Sequence, residues 1–136
     1  NETFLKKVQI ESRIAADMAA NHIIPTAIRY QNVLIENIKG INEVFPSQLE
    51  ALAKDEIETL KEIISHVNAI RSASAVMVET RHKLNRNPDI PERAKGYEKD
   101  VRSKMSEMRE HIDALEMIID DELWPLPKYR ELLATL

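Results

Sequence analysis

The sequence predicts an all-α protein: an up-down-up bundle of three long helices with a short C-terminal helical arm. Two observations lead. Apolar residues recur at three- and four-residue steps along three long segments, the signature of helices that bury one face. The 136 residues include only 2 glycines and no cysteine, so tight hairpins, phosphate-cradling loops and disulfide or zinc frameworks have almost nothing to be built from. The breaks between the periodic segments are short, which makes sequential helices antiparallel neighbours. The length suits a single domain, 1–136, with expected helices at about 3–40, 47–86, 90–122 and 128–135.

The first stripe runs Leu5, Val8, Ser12, Ala15, Ala19, Ile23, Ala27, Tyr30, Leu34, Ile38 and Ile41. Pro25 lies inside it. A proline removes one amide donor and crowds the carbonyl four residues earlier, yet the stripe continues beyond it, so the expectation is one continuous helix with a kink near Pro25. Gly40 is expected to cap this helix, and Pro46 to exclude its continuation. Ser47 and Glu50 have the spacing of a capping box for the second helix. The second stripe is Leu49, Ala53, Ile57, Leu60, Ile64, Val67, Ile70, Ser74, Met77 or Val78, and Arg81. Asp89 and Glu92 form the next expected capping box. The third stripe runs Ala94, Tyr97, Val101, Met105, Met108, Ile112, Leu115 and Ile119, toward Glu122. Pro125 and Pro127 then force an extended segment, with Pro127 opening the terminal arm.

Charge and composition exclude several functions. The formal net charge of −4 does not suit a dedicated nucleic-acid binder, which needs a basic stripe. No stretch approaches the roughly 18 apolar residues of a membrane span. A helical-bundle di-metal site needs two Glu-x-x-His pairs and two further glutamates. Here there is one such spacing, Glu79 and His82, while Glu62 with His66 and Glu107 with His111 read as solvated four-residue pairs. No catalytic, cofactor or metal residue is therefore assigned. His22 lies within the first stripe and reads as a core or interface histidine. Met105, Met108 and Met117 read as gap-filling core.

The remaining candidates are interaction or latch residues. The acidic run Asp120, Asp121, Glu122 opposes the negative end of a helix macrodipole. It is either simply solvated or paired with cations such as Arg29, Lys128 or Arg130, or with cations from other parts of a parent protein. Trp124, the single tryptophan, stands between acids and prolines as a rigid anchor, and with Leu126 it is expected to latch the arm onto the bundle. Tyr30 belongs to the expected receiving surface, and Tyr129 to the arm. Ile10, Ile14, Ala20, Ile24, Ile28 and Ile35 form a second apolar flank on the first helix, beyond what one seam uses. Such a flank marks a partner surface, whether another domain or a second copy. The chain opens at Asn1 with the helical pattern under way by Phe4, which reads as a piece of a longer protein.

Residues 10–36 (IESRIAADMAANHIIPTAIRYQNVLIE) and 120–133 (DDELWPLPKYRELL) together resemble the C-terminal region of type III glutamine synthetases, the large bacterial form. The resemblance covers essentially the whole chain. It implies a cytoplasmic parent enzyme that joins ammonia to glutamate with ATP and Mg, assembled as a double-ring oligomer. It also implies that the metal-binding carboxylates and nucleotide contacts lie on a sheet of another domain, so none transfers here. The expected role is a non-catalytic module packing on the parent's catalytic domain or on neighbouring subunits. The other reading is a free-standing helical adaptor that binds partner helices.

Overall fold

The computed structural model describes residues 2–124, and among them every regular element is a helix. The first long helix, α1, is continuous through Glu2–Met18, a π-turn at Ala19–Ile23, and Ile24–Val44. The π-turn has a cause in the sequence. Ala15, Ala19, Ile23 and Ala27 follow one another at four-residue steps, and each such step turns a stripe about 40° around a straight α-helix. At the π-turn the amide of Ile24 donates to the carbonyl of Ala19, five residues back, and the wider turn cancels the drift. All four residues are buried as a result. The turn lies immediately before Pro25, so the disturbance of the missing amide falls where the ladder is already rewound, and the helix passes through the proline unbroken.

Gly40 does not cap α1. The helix continues to Val44, Gly40 has no positive φ, and the last bond runs from the Phe45 amide to the Ile41 carbonyl. The stop comes instead from Pro46, which holds Phe45 out of the helical region. Nor does the Ser47 box form. Gln48 is the N-cap of α2 (Leu49–Arg86), without a side-chain bond, and its own amide donates to the Phe45 carbonyl in the turn.

The buried line of α2 is Ala53, Ile63, Val67, Ile70, Ala73, Met77 and Arg81. Ile63 and Ala73 thus replace the expected Ile64 and Ser74, because α2 is packed from two sides and its buried face lies between them. At the next reversal Asp89 caps α3, accepting from the Glu92 amide at 3.3 Å. The return bond differs from the box: Asn87 Oδ1 accepts from the Asp89 amide, and Glu92 Oε2 accepts from Asn87 Nδ2.

α3 comprises Ile90–Gly96, a second π-turn at Tyr97–Val101, and Arg102–Ile118. The turn again falls where the stripe steps by fours, at Tyr97, Val101 and Met105. α3 stops short of Glu122. The Asp120 carboxylate accepts from the Glu122 amide at 3.0 Å, and the Asp120 and Asp121 carbonyls accept from Leu123 and Trp124. An acidic side chain at a helix C-terminus favours this local turn over further helix. The expected helix at 128–135 lies outside the described residues.

α2 packs against α3 along its length, and the second half of α1 packs against α2. Asn37 bonds Glu56 across one seam, while Asn85 with Tyr97 and His66 with His111 bridge the other, so each neighbouring pair runs antiparallel. The first half of α1 meets the π-turn of α3. Beside it Gly96 packs closely on α2: a Cβ on it would lie 2.3 Å from Leu84 Cδ2, so the Leu84 side chain would have to shift. Gly96→Ala gains about 0.5–1 kcal/mol of helix preference but overpacks at about 1–3 kcal/mol, so a net loss is expected. Leu84→Ala in the same chain should restore the gain, as a double-mutant cycle of urea midpoints would read.

Candidate functional site

The polar group that most distinguishes the bundle interior lies between α2 and α3. His66 Nδ1 and His111 Nδ1 are 2.9 Å apart, with ring centroids separated by 5.2 Å and planes tilted by 54°. Both rings are half-buried, and Glu62 Oε1 stands 3.7 Å from His66 Nε2. The Glu62–His66 pair is thus present, but the histidines are not simply solvated, because they meet each other across the seam. Glu107 is held by Lys104 at 2.9 Å. A bond between two Nδ1 atoms needs one bare and one protonated nitrogen.

The remaining candidates fall in different places. His22 is exposed on the π-turn of α1 and is not core: the turn seats Ile23 inward and leaves its neighbour outside. Arg29 is exposed and donates to Thr26 Oγ1 at 3.0 Å rather than to the acidic run. Tyr30 is half-buried against the core, and so are Leu123 and Trp124, whose Nε1 is buried without a hydrogen-bond partner. Asp120, Asp121 and Glu122 form the turn that ends α3. Leu126, Lys128 and Tyr129 lie outside the described residues. Met108 is fully buried and Met105 half-buried, but Met117 is 69% exposed and is not core filler. It lies on the side of α3 away from the buried Met108, Ile112, Leu115 and Glu116.

On the second flank of α1, Ile10, Ile14, Ile28 and Ile35 are exposed, whereas Ile24 is buried. Between α1 and α2 an open groove of about 620 Å³ has Ala19, Ala20, Ile24, Ala75 and Val78 as its apolar lining, with His82 at its side. Among the described residues no group of three or more His, Asp or Glu could hold a metal ion, and no helix is long and apolar enough to cross a membrane.

These features define the class: an all-α module of long helices whose distinctive groups lie at helix contacts and on one exposed apolar flank. Comparison with known proteins makes it specific. A family profile described as the glutamine synthetase C-terminal domain matches residues 1–42, which is almost the whole of α1. A glutamine synthetase of Bacteroides fragilis (strain YCH46) is 47% identical over 98% of this chain and 18% of its own length. A type-3 glutamine synthetase of Dictyostelium discoideum is 25% identical over 97% of this chain and again 18% of its own. The chain belongs to the C-terminal domains of the type III glutamine synthetases. It spans about a fifth of the length of the curated relatives it matches.

Proposed function

We propose that this chain is a non-catalytic helical module of a larger, cytoplasmic glutamine synthetase, and that it supports packing on the catalytic domain or assembly with neighbouring subunits. The observation that carries the reading is the exposed flank of α1. Ile10, Ile14, Ile28 and Ile35 stand in solvent on the helix that the glutamine synthetase profile matches. Exposed apolar residues grouped along one helix support a partner surface. The parent would ligate ammonia to glutamate with ATP and Mg. The donors described here do not fit that metal, so no step of the chemistry is assigned to these residues.

The purified 136-residue chain is expected to form no glutamine from glutamate, ammonia and MgATP above a blank. Removing it from the parent is expected to disrupt assembly, as read by sedimentation velocity. Product formation by the chain, or a parent that assembles normally without it, would overturn the reading.

A further inference from the structure

The core line of α2 ends on a charge. Ile63, Val67, Ile70, Ala73 and Met77 are buried along one face, and one turn further Arg81 is only 8% exposed. Its Nε is buried without a hydrogen-bond partner, and among the described residues Arg81 makes neither an ion pair nor a hydrogen bond. Arginine cannot lose its proton to relieve burial, so its fork of donors must be paired or hydrated. Four acids at this end of the bundle are engaged with other groups. Glu79 pairs with Lys83, Asp89 takes the Glu92 amide, Glu92 holds Asn87, and Glu98 pairs with Arg102. Arg93, just past the reversal, repeats the pattern: its Nε is buried without a partner, and Nη1 reaches the Asn87 carbonyl at 3.4 Å.

We propose that Arg81 is a receptor for a carboxylate side chain contributed by the remainder of the parent enzyme. The inference rests on the docking role proposed above and names one contact within it. With so little of Arg81 open, a planar carboxylate that takes two parallel N–H bonds suits the fork better than a hydrated free anion.

Arg81→Met keeps the apolar stem and removes the charge. In the 136-residue chain it is expected to leave the melting temperature unchanged or raise it, because no partner is lost. In the full-length enzyme the same variant is expected to weaken subunit association about tenfold or more, with Arg81→Lys restoring only part, since an ammonium lacks the fork. A fall of about 5 °C or more for Arg81→Met in the 136-residue chain would place the partner inside the module and overturn the proposal. So would full-length Arg81→Met that assembles like the unmodified enzyme while removal of the whole module disrupts assembly. If removal of the module changes nothing, the docking role itself fails and this contact fails with it. Inorganic phosphate at matched ionic strength separates the remaining source: a melting rise over chloride that disappears in Arg81→Met would assign the site to a free oxyanion and overturn a carboxylate from the parent.

Discussion

Deletion of Ala20 is expected to detach the first half of α1 from the bundle and to cost the chain about 3–6 kcal/mol, the burial of two large aliphatic side chains. Ala20 is exposed, so removing its side chain matters little. What changes is the winding. The π-turn at Ala19–Ile23 contains the residue that brings Ala15, Ala19, Ile23 and Ala27 onto one line. With one residue fewer, everything N-terminal to it rotates by about 100° relative to the rest. Leu5, Val8, Ser12 and Ala15 would then leave the core. Ala20→Ser, which preserves the count, should melt close to the unmodified chain. Urea denaturation followed by circular dichroism, with hydrogen exchange at residues 5–15, distinguishes the two. Equal stability of the deletion and the substitution would show that the π-turn does not set the register of α1.

Tyr97→Ala should cost about 3–5 kcal/mol, the range for truncating a buried aromatic. Tyr97 is fully buried, opens the π-turn of α3, and lies in a segment that packs on both α1 and α2. Its loss would leave a cavity where three elements meet and collapse is hindered from each side. Tyr97→Phe isolates the hydroxyl, which donates to Asn85 Oδ1 at 2.7 Å, and should cost about 1 kcal/mol. If the two substitutions cost the same, the hydrogen bond and not the ring would hold this junction. Thermal or urea midpoints of the pair decide it.

Several features were legible in the residues alone. Periodicity placed three helices, Asp89 marked the start of α3, and the stripe beyond Pro25 showed that α1 does not stop there. The runs of four-residue steps at Ala15 to Ala27 and Tyr97 to Met105 also encode the two π-turns, since a straight helix cannot keep such runs on one face. Read only as stripes, they pass for ordinary helix. Gly40 misled because a glycine near a stripe's end suits a cap, while Ile41 still had a face to cover and extended the helix. Ser47 lost the capping position to Gln48, because the turn after Pro46 starts the helix one residue later.

The histidines and Arg81 mark the other limit. Within one helix, Glu62 and His66 are neighbours at four residues, and that is all their spacing can express. That His66 meets His111 depends on the register of α2 against α3, set jointly by contacts such as Leu84 over Gly96 and Asn85 with Tyr97. Arg81 sits on the α2 stripe in the sequence, but its burial without an acid emerges only once the helices are packed and Glu79 and Glu92 have taken other partners. Local periodicity and residue order are enough to give the helices, most of their inward faces and the resemblance to a glutamine synthetase domain, though not the Ile63 and Ala73 face of α2. Tertiary structure alone decided which polar groups meet and which are left without a partner, because those depend on the relative rotation and register of helices far apart in the chain.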